Sequence, residues 1–145
     1  MNLPLINAEE RRYAHSELTE KIIGVFYEVY NELGYGFIES VYEAAMYKAL
    51  REEGLDVKRQ VAVPVWFRGE QVGNFVADMV VDDAVILELK AAHALGTAHI
   101  AQLLNYLRAT RIEVGLLFNF GQRPTLRRLV FSNERRSAFI SVHQR

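Results

Sequence analysis

Asp78, Glu88 and Lys90 fall within one stretch, ADMVVDDAVILELK (77–90), which reads as two apolar strands around an acidic turn. Side chains at i and i+2 share a strand face, so Ile86, Glu88 and Lys90 point one way and Leu87 and Leu89 the other. Whether Asp78 joins Glu88 depends on the parity of the turn. A two-residue Asp82-Asp83 loop sends Asp78 to the opposite face. A three-residue Asp82-Asp83-Ala84 loop sets it against Glu88, with about 4.5–5.5 Å between Cα atoms. Asp-Asp lacks the glycine that a tight two-residue turn prefers, which favours the longer loop. Two carboxylates ~4 Å apart repel by roughly 4 kcal/mol at an effective dielectric of about 20. Lys90 offsets part of that. A divalent cation offsets more, and oxygen-only ligands suit Mg²⁺ or Mn²⁺ rather than zinc. The competing reading is a solvated outer face, on which such charges are ordinary.

Two further groups carry polar chemistry at helical spacing. His99, Gln102 and Tyr106 form a stripe at i, i+3 and i+7, of which Gln102 and Tyr106 can hydrogen-bond a phosphate or position a lysine. Glu39 and Tyr42 are i, i+3 neighbours just after Gly36, where the helix dipole alone would tolerate a glutamate. Other chemistries are disfavoured. The chain has no cysteine, its four histidines lack zinc spacing, and neither a G-x-S-x-G elbow nor a P-loop occurs. Trp66 reads as a packed strand residue rather than a base-stacking platform.

These residues need elements to hold them. SELTEKIIGVFYEVYNELG predicts a helix capped by Ser16, with a stripe of Leu18, Ile22, Val25, Phe26, Val29 and Leu33, ended by Gly34. A second helix is predicted over about 38–53, with Ile38, Val41, Ala45 and Ala49 as its apolar line. VKRQVAVPVWF alternates, which would put Val57, Val61, Val63, Val65 and Phe67 on one face, and Pro64 implies an edge strand or a bulge. RGEQ turns into a returning strand over about 72–81, and a third strand covers 85–90. A helix over about 97–110 faces the core with Ile100, Leu103, Leu104 and Leu107. VGLLFNF has the continuous apolar character of a strand buried on both faces, and TLRRLVF reads as one more. The arginine-rich tail is read as helical or loose. The order helix, helix, three-strand meander, helix, strand, strand makes an α/β sandwich.

At 145 residues, half of them hydrophobic, the chain suits a single domain over residues 1–145. The net charge of −1 does not announce a nucleic-acid binder, but its distribution is uneven. Residues 107–145 hold eight arginines against two glutamates, whereas residues 1–106 hold nine basic and sixteen acidic side chains. Such asymmetry can mark a phosphate-binding face or simply a scattered, paired surface. No apolar run approaches a membrane span and the N-terminus lacks a signal-peptide pattern, so a cytoplasmic location is expected.

Taken in order, Asp78, Glu88-Leu-Lys90 and Gln102-x-x-x-Tyr106 resemble the PD-(D/E)XK nuclease superfamily, specifically its RecB-like branch. Gly36-Phe-Ile-Glu39-Ser-Val-Tyr42 is similar to the signature of the GxxExxY protein family, assigned to that superfamily. ELTEKIIG, ESVYEAA, AQLLNYL and VGLLFNFG are similar to that family as well, so the resemblance covers about residues 16–121. It implies a restriction-endonuclease-like αβββαβ core, a central mixed sheet flanked by helices, with an extra N-terminal helix. It also implies roles. Asp78, Glu88 and Glu39 would ligate Mg²⁺, or Mn²⁺ as a substitute, with the Leu89 carbonyl as a further ligand. Lys90 would orient or deprotonate the attacking water, and Gln102 and Tyr106 would support Lys90 and the DNA backbone. Ala77 stands where the superfamily usually has proline, at a position bearing no ligand, and Tyr30 where relatives often carry histidine.

The function implied is metal-dependent phosphodiester hydrolysis of nucleic acid, with DNA favoured. The alternatives are a non-cleaving nucleic-acid-binding or accessory protein that keeps the nuclease fold, within a defence or repair assembly, and a plain structural domain. A homodimer through the Pro64 edge or the first helix is a further expectation.

Overall fold

The computed structural model describes residues 15–132. Eight elements follow one another: α1 (Ser16–Leu33), α2 (Glu39–Glu52), β1 (Val57–Phe67), β2 (Glu70–Val81), β3 (Val85–Lys90), α3 (Thr97–Ala109), β4 (Val114–Phe120) and β5 (Pro124–Val130). The strands lie in one sheet in chain order. β1, β2 and β3 form an antiparallel meander, β4 runs parallel to β3 after the α3 crossover, and β5 returns antiparallel. The segment from α2 to β4 is the expected αβββαβ core, with α1 added before it and β5 after.

Alternation along the strands divides the core in two. Met79, Val81, Leu87, Leu89, Leu116, Phe118 and Phe120 meet the buried stripes of α1 and α2. Val80, Ile86 and Leu117 point through the other face to Leu103, Tyr106 and Leu107 of α3. The first face is aromatic: Phe26 stacks on Phe118 at 4.3 Å between centroids, and Tyr42 stacks on Phe120 at 4.2 Å. Every residue of β4 is buried, as a strand covered on both faces must be.

Four local expectations are corrected. Ser16 is the first helical residue rather than the cap; His15 holds the cap position and makes no side-chain cap bond. The face α2 buries is Tyr42, Met46 and Leu50, whereas Ile38 precedes the helix and is 71% exposed. β1 does not keep one face, because Gln60 has φ +51 and the strand changes sides there. Val57 therefore packs towards α1 and α2, but Val61 and Val63 towards α3. Trp66 is 63% exposed, beyond a register shift between Val65 and Trp66. Pro64 does lie on an edge strand, beside that shift. The tail after residue 132, including Arg135, Arg136 and Arg145, lies outside the described residues. Among the described residues no helix is long and apolar enough to cross a membrane.

Candidate active site

The β2–β3 connection is the three-residue loop, with Val81 paired to Val85, so the register runs Val80↔Ile86 and Met79↔Leu87 and then stops. On the other side of β2 the pairing passes from Arg59↔Met79 to Val61↔Ala77, omitting Asp78 and the kinked Gln60. Asp78 is thus left out of both ladders. Its backbone is satisfied by a side chain instead: the Asp78 N–H donates to Glu88 Oε1 at 2.8 Å. Reciprocally, the Leu89 N–H donates to Asp78 Oδ2 at 2.8 Å. Each carboxylate replaces a strand-to-strand bond where the two strands separate, and this locks both in position.

Burial makes the pair electrostatically unusual. Glu88 is 2% exposed. Burial pushes its carboxyl up to about 8, assisted by the charge of Asp78 and only partly opposed by the Asp78 N–H and by Lys90. Asp78 is raised in the same sense, first by burial and then by Glu43 and Glu39, against the Leu89 N–H bond and Lys90. Lys90 is half-buried, and among the described residues its ammonium makes no ion pair or hydrogen bond, though its charge acts on both carboxyls. The one lysine therefore does not keep both carboxyls ionised, and the pair retains a proton into the neutral range.

Glu39 reaches the same strand end from the first turn of α2, where its Oε1 lies 3.4 Å from the Ala91 N–H. Its helix is oriented by the rest of the Gly36-x-x-Glu39-x-x-Tyr42 stretch. Gly36 adopts φ +110, a conformation that side chains resist. The buried Tyr42 hydroxyl donates to the Gly34 carbonyl at 2.6 Å and accepts from the Phe37 N–H at 3.2 Å. That tyrosine fastens the α1–α2 loop and so aims the first turn of α2.

On the other face, Gln102 Nε2 donates to the Tyr106 hydroxyl at 2.9 Å. Tyr106 is buried, and its phenol is raised above its ordinary value by burial and then by Glu88, with a smaller push from Asp78. It remains a neutral donor beside the pair. His99 does not join this group; its Nδ1 accepts from the Gly96 N–H at the start of α3.

The structure thus brings Asp78, Glu88, Lys90 and Leu89 to one strand end, with Glu39 on one side and Tyr106 with Gln102 on the other. Sequence reasoning missed Glu43, Asn119 and Gly121, and it noted Tyr30 without its partners. Glu43 sits one turn after Glu39 and accepts from Gln60 Nε2 at 2.9 Å and Arg59 Nε at 3.3 Å, holding the kink opposite Asp78. The Glu39-x-x-x-Glu43 spacing was the available signal. Asn119, 1% exposed, grips Ala92 twice, through Oδ1 to its N–H at 2.8 Å and Nδ2 to its carbonyl at 3.0 Å. This fixes the chain just after Lys90. Gly121 permits that approach, since a Cβ there would lie 2.7 Å from the Ala92 carbonyl oxygen. Finally, the Tyr30 hydroxyl lies 2.8 and 2.6 Å from the Gly121 and Gln122 carbonyl oxygens, tying α1 to the β4–β5 turn. No local signal marks either long-range contact.

The donors are hard oxygens, and Lys90 only partly offsets the pair, so by chemistry Asp78 and Glu88 fit a divalent cation. Among the described residues, no three acidic or imidazole side chains stand close enough to share one ion.

A family model described as the PD-(D/E)XK nuclease superfamily matches residues 16–129, from the start of α1 nearly to the end of β5. Among solved structures, an alkaline exonuclease (LHK-Exo) from Laribacter hongkongensis is similar over 71% of this chain and 64% of its own, at 13% identity and a TM-score of 0.50. The crystal structure of SSO0001 matches over 73% of this chain and 58% of its own, at 13% identity and a TM-score of 0.49. The chain spans less than two thirds of the length of either, and no curated protein matches it. At such identity the structural likeness is one of fold. The family match covers most of the sequence, and the chain belongs to the PD-(D/E)XK nuclease superfamily.

Proposed function

We propose that this chain hydrolyses phosphodiester bonds of nucleic acid, DNA being the favoured substrate, with a divalent metal ion. The observation that supports this most is the Asp78–Glu88 pair, Glu88 buried and Asp78 half-buried, held by two reciprocal backbone bonds beside a lysine whose ammonium makes no ion pair among the described residues. Asp78 and Glu88 would hold Mg²⁺, or Mn²⁺ in its place, with the Leu89 carbonyl as a further ligand and Glu39 nearby at the Ala91 N–H rather than in the same ligand set. The ion would supply Lewis acidity and positive charge at the phosphate. Lys90 orients the attacking water and offsets charge developing on the phosphate oxygens. Tyr106, kept protonated by its surroundings and held by Gln102, supports the lysine side of the site. Glu43 maintains the kink that frees Asp78 from the ladder. The role of Tyr42 and Gly36 in aiming Glu39 supports placement in the GxxExxY family of the RecB-like branch.

One observation favours a second reading, a nucleic-acid-binding or accessory protein that keeps the fold without cutting: the three-carboxylate set does not close around a point. The two separate in one assay series. Wild-type protein incubated with Mn²⁺ and plasmid or single-stranded DNA is expected to cut, and Lys90→Ala is not. Titration calorimetry with Mn²⁺ is expected to give heat for wild type and none for Asp78→Ala. A Lys90→Ala protein that cuts at the wild-type rate removes the mechanism, and wild type that binds without cutting selects the accessory reading.

A further inference from the structure

A cavity of about 400 Å³ opens between the segment after β3 and the β4–β5 turn, lined by His93, Leu95, Asn119, Arg123, Thr125 and Arg127 among others. No carboxylate lines it. Arg123 and Arg127 are exposed, and neither makes an ion pair among the described residues. Of the many arginines in the second part of the chain, these two share a concave surface, together with a hydroxyl and an imidazole.

The sheet register relates this cavity to the carboxylate pair. Glu88 stands beside Leu117, which stands opposite Arg127, while Lys90 stands beside Asn119, opposite Thr125. Directly paired residues project from the same face, so both rows run across the α3 face from β3 to β5. Neighbouring strands lie ~4.8 Å apart, which puts the rows' ends about 10 Å from each other. That equals at most roughly three nucleotides, taking the ~3.4 Å rise of one strand in a duplex. Asn119 lines the cavity and also grips Ala92, so cavity and lysine are fixed relative to one another.

The geometry points to a phosphate subsite: Arg123 and Arg127 hold a backbone phosphate of the nucleic-acid strand, up to about three nucleotides from the bond at Asp78 and Glu88. The inference rests on the nucleic-acid reading above and deepens it. Guanidinium groups match phosphate oxygens in forked geometry, and contacts to phosphate position a strand without reading its sequence. Thr125 and His93 complete the wall with groups able to donate to a phosphate oxygen.

The test compares wild type, the Arg123→Ala/Arg127→Ala double variant and Arg111→Ala, an exposed arginine outside the cavity. Each is titrated with a fluorescent single-stranded DNA oligonucleotide in chelator over a range of salt. The double variant is expected to bind roughly tenfold more weakly, with a slope of log K against log salt shallower by about one to two. Arg111→Ala is expected to match wild type. In a second arm, neutral methylphosphonate replaces one phosphate at a time; wild type loses affinity at a particular linkage and the double variant at none. An unchanged slope, a uniform response to the replacements, or no binding by wild type overturns the subsite, even if the protein cuts DNA in Mn²⁺. Arginine-dependent binding without cutting overturns hydrolysis and leaves the subsite standing.

Discussion

The two ends of the β2–β3 hairpin carry the same chemistry and treat it differently. At the turn, Asp82 and Asp83 are exposed and adopt φ +52. Asp82 Oδ1 accepts from the Asp56 N–H at 2.8 Å, and Asp83 pairs with Lys58 at 2.8 Å. At the open end, Glu88 is buried and Asp78 half-buried, and each has the other as neighbour, with backbone N–H groups as their only hydrogen-bond donors among the described residues. A carboxylate with its own donor and solvent is a structural device. A carboxylate buried against a second one is an unbalanced charge, held in place by the fold and useful when a cation or phosphate arrives.

The largest effect expected from this contrast is on catalysis. Asp78→Asn and Glu88→Gln keep the shape of the open end but remove its charge, and each is expected to lower DNA cleavage in Mn²⁺ on the order of 10²–10³-fold. Asp83→Asn, equally conservative at the turn, is expected to leave kcat/KM unchanged. Comparable losses at both ends would abolish the distinction.

Stability should respond in the opposite direction. Glu88 is raised from 4.5 to about 8 in the folded chain. Between those values the folded state retains a proton that the unfolded state has released. The stabilisation is therefore complete below about pH 4.5 and is lost as pH climbs through about 8. Asp78 shifts in the same direction. At ~1.36 kcal/mol per unit the lost stabilisation reaches a few kcal/mol. Urea unfolding should thus find Glu88→Gln close to wild type at pH 5 and more stable by that order at pH 8.5, with saturating Mn²⁺ narrowing the gap by binding wild type alone. A stability difference that stays constant from pH 5 to 8.5 would mean that the carboxyl is not held as described.

Much of this was legible from residue types. The missing glycine in Asp82-Asp83-Ala84 implied the odd loop, and with it the meeting of Asp78 and Glu88. Alternation over 85–90 placed Glu88 and Lys90 on one common face, which the structure turns towards α3, and the apolar run 114–120 marked a strand buried on both faces. The failures share a cause. In β1 the valines alternate regularly, but Glu43 and Gln60 fix a left-handed residue that reverses the faces, a tertiary choice over a local pattern. In α2 the alanine line looked apolar, whereas Tyr42 was read as polar when its ring is core and only its hydroxyl works. Asn119 was hidden inside an apolar strand because its partner, Ala92, is far away in sequence and has no side chain to advertise the contact.

The smallest predicted effect separates the ends most cleanly. Asp82 contributes one exposed hydrogen bond and occupies a backbone conformation that alanine tolerates poorly. Losing the bond costs about 0.5–1.5 kcal/mol, and alanine at positive φ adds ~1 kcal/mol of strain. Glycine loses the bond without the strain, apart from its greater freedom in the unfolded chain. Asp82→Ala should therefore destabilise by ~1.5–2.5 kcal/mol, Asp82→Gly by less, and neither should alter cleavage. Removing an acid would then weaken the fold at the turn while strengthening it at the open end. An Asp82→Ala protein more stable than wild type would show repulsion governing the whole hairpin, and the open end would lose its claim to a separate role.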